Sequence, residues 1–255
     1  FVLLYNNNKH RKSLYKKEKG DIVMEIETNA EKANTMEISD NKEKIKSIRL
    51  KIYEILKRCV DIIGALFGMI ILIPLTIAIW VANIIAKDNG PVFYVHERIG
   101  KNGKLFKLYK YRSMVVDADD KLSKYLAENE EAREEYRKYK KLKDDPRITA
   151  IGKFIRKTSI DEFPQFINVL KGEMSLVGPR PYLPREIEDM GENYNDIIKV
   201  KPGLTGLWQV NGRSETTFEY RMQIDRGYIA TRTAILDVKI IIRTFLKVFK
   251  KEGAK

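Results

Sequence analysis

Apolar positions are spread unevenly along the chain. Residues 6–46 hold few of them and are rich in Asn, Lys and Glu, which predicts a flexible or loosely helical linker; the apolar residues 1–5 read as the tail of something upstream. Residues 62–82 are the reverse: 21 residues without a charge, ~31 Å long as a straight helix, about the hydrocarbon thickness of a bilayer. Pro74 lies past the middle of this run, where it removes a backbone hydrogen bond and predicts a kink or break near Ile73. Both flanks are basic, with Lys51, Lys57 and Arg58 before and Lys87, Arg98 and Lys101 after. Basic flanks favour the cytoplasm, and one straight span cannot place both ends there. A re-entrant hairpin broken at Pro74 is therefore preferred to a straight span, with a buried core helix as the third reading.

Beyond residue 90 the pattern is that of a folded α/β region. Residues 91–99 and 104–112 are rich in Val, Phe and Tyr and are joined through Asn102-Gly103, which predicts a β-hairpin. Residues 119–143 carry Leu122, Tyr125, Leu126, Tyr136, Tyr139 and Leu142 at helical spacing among dense charges and read as one solvated helix. In residues 237–251, Lys239, Arg243 and Lys247 recur every four positions while Ile241, Ile242, Phe245 and Leu246 fill the rest. That suits a helix lying in a lipid interface against anionic headgroups, and almost as well a terminal helix packed on its own domain.

Composition narrows the chemistry. Of 255 residues, 48 are Lys or Arg and 35 Asp or Glu, a net charge of +13 that calls for an anionic partner. Zinc-finger spacings and RNA-binding motifs are missing, so the membrane surface and phosphorylated ligands are favoured over nucleic acid. Cys59 is the single cysteine, and His10 and His96 are the only histidines, which argues against a disulfide framework, a zinc site or a Ser-His-Asp triad. Catalysis must then rest on carboxylates, cations, hydroxyls or a hard metal.

Asp161-Glu162, ahead of the apolar residues 166–170, are the strongest candidates. Ser159 and Glu162 have capping-box spacing, but that start would place Pro164 where an amide is needed; a start at Ile160 or Asp161 puts the carboxylates at the helix tip. Exposed amides there favour phosphate, and a divalent cation would relieve the repulsion between adjacent carboxylates. A plain acidic helix N-terminus is the competing reading. Arg180, held between two prolines, would present a guanidinium to an oxyanion or form a surface turn; Lys110, Arg112, Arg156 and Lys157 could add charge. Residues 202–208 read as a glycine-punctuated loop whose Trp208 walls a pocket or plugs the core.

These segments occur together and in order: KRCVDIIGA at 57–65, GPVFYVHERIGKNGKLFKLYKYRSM at 90–114, DPRIT at 145–149, RKTSIDEFPQFINVLKGEMSLVGPRP at 156–181 and KPGLTGLWQVNGR at 201–213. The chain from about residue 57 to 254 thereby resembles the bacterial sugar transferases that act as monotopic polyprenyl-phosphate phosphoglycosyl transferases. The resemblance implies transfer of a sugar-1-phosphate from a UDP-sugar to undecaprenyl phosphate with release of UMP, the initiating step of capsule or exopolysaccharide assembly. It also implies Mg²⁺, with Mn²⁺ as a substitute, a place at the cytoplasmic face of the bacterial inner membrane, and downstream glycosyltransferases as partners; it permits a homodimer. Asp161 matches the family's nucleophile and Glu162 its metal-associated neighbour, while Lys110, Arg156, Arg180 and Asp225 fall at matching polar positions. Ile73-Pro74 departs from the Ser-Pro often found at the family's hairpin break, and residues 119–143 look like an insertion relative to its shortest members.

The expected fold class is α/β: a mostly helical catalytic domain with a short β-hairpin, a Pro-broken re-entrant membrane helix and a C-terminal amphipathic interfacial helix. The expected organisation is a linker or tail over 1–46, a membrane-associated helix over 47–89 and a catalytic domain over 90–255.

Overall fold

The computed structural model describes residues 2–211 and 216–250, with side chains from 41 to 211 and from 216 to 247. The chain divides into two units, Phe1–Ile55 and Leu56–Lys255. The described part of the first is helical throughout and belongs to α1 (Val2–Ile85).

The second unit opens with the rest of α1 and continues through the hairpin β1 (Phe93–Ile99) and β2 (Leu105–Tyr111), then α2 (Ala118–Glu128), α3 (Glu130–Tyr139) and α4 (Ala150–Lys157). A single 3₁₀ turn, Ile160–Glu162, leads into α5 (Gln165–Lys171) and β3 (Ser175–Val177). The short helices α6 (Ile187–Met190) and α7 (Asn193–Ile197) precede β4 (Gly203–Thr205), α8 (Leu207–Asn211), α9 (Phe218–Thr231) and α10 (Ala234–Lys250).

The hairpin forms as its turn chemistry predicts. Asn102 and Gly103 take the positive φ values of 59° and 75° that a tight antiparallel turn needs, and Phe93 pairs with Tyr111 down to Ile99 with Leu105. Residues directly opposite share a face. Tyr94, His96 and Arg98 therefore line one side of the hairpin with Lys110, Leu108 and Phe106. A second, parallel pair joins β3 to β4 and was not expected; residues 202–208 form this strand and the start of α8 rather than an open loop.

Two other expectations are corrected. The charged segment is two helices rather than one, because Asn129 leaves the helical region (φ −129°, ψ 108°) and its side chain accepts from the Ala132 amide to start α3. The pair closes on its own small core of Leu122, Ala132 and Leu142. Pro74 does not interrupt α1, which is helical on both sides of it. Two hydroxyls support the adjacent turn: Thr76 Oγ1 donates to Leu72 O at 2.7 Å, and Tyr111 OH lies 2.6 Å from Thr76 Oγ1 and 3.3 Å from the same carbonyl.

From residue 56 onward, one face of α1 packs on the second unit and the other is exposed. Ala65 joins Phe106, Leu108, Val169 and Met174, while Leu72 and Ile79 join Tyr111 and Ile155. Two glycines allow close approach: a Cβ on Gly64 would meet Leu176 at 2.6 Å, and one on Gly68 would overlap the Phe166 ring. Polar anchors stand at both ends of the apolar run. Lys57 pairs with Asp237 at 2.7 Å, Arg58 donates to Val169 O and Leu170 O at the C-terminal end of α5, and Asp61 accepts from Ser175 Oγ and the Leu176 amide. Past the run, Asp88 pairs with Arg112 at 2.8 Å. The opposite face exposes Phe67, Ile70, Ile73, Ile77 and Trp80. The helix Asn41–Ile85 is long and apolar enough to cross a membrane.

The C-terminal α10 packs on its own domain along one face and exposes apolar side chains on the other. Ile240 is buried against Val177, Val210 and Tyr228, whereas Ile235, Val238, Ile242, Phe245 and Leu246 remain exposed.

Candidate active site

The residues that matter sit where α4, the 3₁₀ turn and α5 meet. Thr149 caps α4 by accepting from the Gly152 amide, and the helix ends at Lys157. Ser159 takes a left-handed conformation (φ 57°, ψ 18°) that reverses the chain, so no capping box forms with Glu162. Asp161 and Glu162 then occupy the 3₁₀ turn, while Pro164 stands at the N-cap of α5. The acidic pair is thus one tight turn ahead of α5 rather than in its first turn, because Pro164 has no amide to extend the helical ladder backward.

Asp161 is buried, with 9% exposure, and Glu162 is half-buried. Lys110 of β2 reaches both: its Nζ lies 3.0 Å from Glu162 Oε1 and 3.9 Å from Asp161 Oδ2. Burial raises the Asp161 carboxyl to about 6, helped by the Glu162 charge and opposed by Lys110 and Arg156. Arg156, in the last turn of α4, buries an Nη1 with no hydrogen-bond partner, a cationic donor left for a ligand.

Glu162 and Lys110 share a small pocket with Arg98, Leu108, Gln165, Arg180, Pro181, Gly203, Leu204 and Gln209. Arg180 stands above the Trp208 ring at 5.5 Å, and Arg221 stacks on that ring at 4.3 Å. Trp208 is itself buried and donates from Nε1 to Thr216. Asp225 is fully enclosed; it accepts from Tyr182 OH at 2.8 Å and from the Arg180 amide at 3.3 Å, and burial raises its carboxyl to about 7. Asp225 therefore holds the Arg180 backbone.

Of the residues proposed from sequence, Asp161, Glu162, Lys110, Arg156 and Arg180 converge on one cationic site, with Asp225 behind it. Arg112 is held elsewhere: its guanidinium donates to Asp88, to Pro91 O and to Met114 O, fastening the segment after α1 to β2. Lys157 is exposed on α4.

The donor set fits a divalent cation of one kind only. Among the described residues no group of three or more His, Cys, Asp or Glu side chains could enclose a metal. Two neighbouring carboxylates suffice for a hard cation that draws its other ligands from phosphate oxygens and water, so Asp161 and Glu162 suit an ion brought with a phosphorylated substrate.

In comparison with known proteins, residues 52–251 match the family described as bacterial sugar transferase. The chain belongs to that family. It is 46% identical over 199 residues to undecaprenyl-phosphate galactose phosphotransferase of Salmonella typhimurium, covering 78% of this chain and 41% of the relative. Galactosyl transferase CpsE of Streptococcus agalactiae is 46% identical over 202 residues, covering 79% of this chain and 44% of that one. The exopolysaccharide production protein ExoY of Sinorhizobium fredii is 38% identical over 198 residues, 78% of this chain and 87% of the relative. The chain therefore spans about two fifths of the first two relatives and most of the third.

In this bacterial sugar transferase, sequence reading overlooked several cations and their supports. Arg98 is buried, donates from Nε to His96 Nε2 at 2.9 Å and from Nη1 to Pro181 O at 2.9 Å. Burial and the charges of Arg98, Lys110, Arg180 and Arg185 hold the His96 pKa far below its ordinary value, so the imidazole stays neutral and accepts. The available signal was the strand alternation Tyr94, His96, Arg98 opposite Lys110, which puts all four on one face.

Proposed function

We propose that this sugar transferase moves a hexose-1-phosphate from a UDP-sugar to undecaprenyl phosphate at a membrane surface, releasing UMP. The observation that carries the reading is the buried Asp161 beside Glu162 in a site whose other charges, from Lys110, Arg156 and Arg180, are positive. That combination suits an anionic nucleophile acting on an anionic phosphoryl group whose charge the site offsets. Support for the substrates comes from the relative in Salmonella typhimurium, whose name pairs undecaprenyl phosphate with galactose phosphate transfer.

In the proposed mechanism a carboxylate oxygen of Asp161 attacks the phosphorus joined to the sugar. A P–O bond forms, the bond to the second phosphate breaks, and UMP departs with the electron pair. An oxygen of undecaprenyl phosphate then attacks the same phosphorus, the bond to Asp161 breaks, and the carboxylate is restored. Lys110 stays with the acidic pair throughout and limits its repulsion, while Arg156 and Arg180 bind the phosphate oxygens. A bound Mg²⁺, held by Asp161 and Glu162, would neutralise charge on the diphosphate.

The membrane part of the proposal is monotopic attachment at the cytoplasmic face of the inner membrane. Its support is that both margins of the apolar run are fastened to one folded unit, through Lys57, Arg58 and Asp61 on one side and Asp88 on the other. The exposed apolar faces of residues 63–85 and of α10 would enter the lipid, with Lys239, Arg243 and Lys247 meeting anionic headgroups.

The test is Asp161→Asn. With UDP-[³H]hexose and Mg²⁺, the wild-type protein should retain label after denaturation and lose it on adding undecaprenyl phosphate; Asp161→Asn should retain none, and UMP release should fall at least ~10³-fold. Full turnover in Asp161→Asn, or turnover without any labelled protein in a rapid quench of the wild type, would remove the covalent step.

A further inference from the structure

Two amide side chains line the pocket beside the acidic pair, and one of them has an oxygen that the protein does not use. Gln165, the first residue of α5, is only 2% exposed and lines the pocket with Glu162, Lys110 and Arg180. Gln209, on α8, donates from Nε2 to Leu204 O at 3.1 Å, and its Oε1 is fully buried with no partner. A buried amide left unpaired costs about 1–3 kcal/mol, so such groups call for an explanation. Both lie against one pocket, one helical turn from Asp161 in the case of Gln165, and neither takes part in the proposed phosphoryl transfer.

The chemistry of Gln209 Oε1 restricts its partner. It is an acceptor and needs a donor, and ionised phosphate oxygens only accept. The cations Arg98, Lys110 and Arg180 of the same pocket suit the diphosphate; the amide oxygen suits an O–H or N–H group. We infer that Gln165 and Gln209 form a substrate-binding amide pair that hydrogen-bonds the uncharged part of the nucleotide sugar, Gln209 accepting from a hydroxyl or imide N–H. This rests on the UDP-sugar reading above. The donor belongs either to the hexose or to the uridine, and the two sources separate experimentally.

Gly206 belongs to the same arrangement. A Cβ there would lie 2.8 Å from Gln209 Oε1 and would overlap Gly178 O, so only glycine keeps the amide oxygen clear at this position.

Gln209→Met and Gln165→Met preserve length and apolar volume while removing the amide. Binding of UMP, of UDP-hexose and of a series of UDP-deoxyhexoses should be measured calorimetrically, alongside UMP release with undecaprenyl phosphate and thermal unfolding. The expected result is a roughly 10- to 100-fold loss for UDP-hexose in Gln209→Met, beside a small fall in thermal stability from the lost bond to Leu204 O, the scale for a lost hydrogen bond to a buried group. If the donor is a hexose hydroxyl, UMP affinity is unaffected, and one deoxy analogue loses as much in the wild type as the substitution costs but nothing further in Gln209→Met. If the donor is on uridine, UMP affinity falls by the same factor. Unchanged affinity for both UMP and UDP-hexose in both variants overturns the inference, as does an equal loss on every deoxy analogue with UMP affinity unchanged. Wild-type protein that binds UDP-hexose but releases no UMP counts against the transfer reading and leaves the amide pair judged by affinity alone.

Discussion

Asp225 is a carboxylate with no exposed atoms to speak of, held by Tyr182 and the Arg180 amide, and burial raises its pKa to about 7. Raised pKa values have a definite sign in stability: the folded state binds this proton more tightly than the unfolded chain, so the contribution is complete below pH ~4 and is lost as pH climbs through about 7. Urea unfolding at pH 5 and pH 8 should therefore differ by roughly 2–3 kcal/mol through this group, and Asp225→Asn, which still accepts from Tyr182, should flatten that part of the profile. An unchanged pH slope in the variant would show that Asp225 is ionised in both states. At this scale the sequence picked out the acidic pair, Lys110, Arg156 and Arg180 as charged residues, and the fold brings them to one place. It was silent on His96, Arg98 and Gln209, whose importance comes from which strand face or pocket they share, and it overrated Arg112, whose partners Asp88 and Pro91 are more than 20 residues away.

Between elements, the decisive contact is the one that seats the apolar helix against the carrier of the acidic pair. Gly68 leaves room for the Phe166 ring, and Phe166 follows Gln165 at the start of α5. Gly68→Val would force its new side chain into that ring, at a cost of about 1–3 kcal/mol, and would push α5 and its flanking turn out of register with Lys110. We expect lowered thermal stability and at least a tenfold fall in UMP release, whereas Ile70→Val on the exposed face should change neither; equal behaviour of the two variants would separate helix seating from catalysis. The elements themselves were legible to differing degrees. The hairpin was readable because Asn102-Gly103 fixes its turn locally, and the apolar helix because 21 uncharged residues leave few alternatives. The parallel pair of β3 and β4 was hidden because each strand has three residues and the partners are far apart in sequence, and the division between α2 and α3 because one Asn makes it. Pro74 predicted a break from its missing amide, yet α1 is helical on both sides of it.

For the whole molecule the question is which side of a membrane each margin of the apolar run occupies. A straight span separates residues 59 and 89 by a bilayer. Attachment to one face leaves both with the catalytic unit, as the anchors of Lys57 and Arg58 before the run and Asp88 after it favour. The chain supplies its own reporter, since Cys59 is exposed and is the only cysteine. Asn89, also exposed, can be converted in a Cys59→Ser background to give the matching probe at the other margin. With a membrane-impermeant maleimide, Cys59 in the native chain and the Asn89→Cys substitution should both react in inside-out vesicles and be protected in right-side-out ones. Reaction of the two probes in opposite vesicle preparations would establish a span and remove monotopic attachment, whereas protection of both in inside-out vesicles would contradict the cytoplasmic placement. The net charge of +13 gives an independent check on the same surface. If cations on α10 meet anionic lipid, binding to vesicles containing phosphatidylglycerol should weaken with salt and with Lys239→Gln/Arg243→Gln, while the labelling pattern, set by the apolar helix, stays as it was.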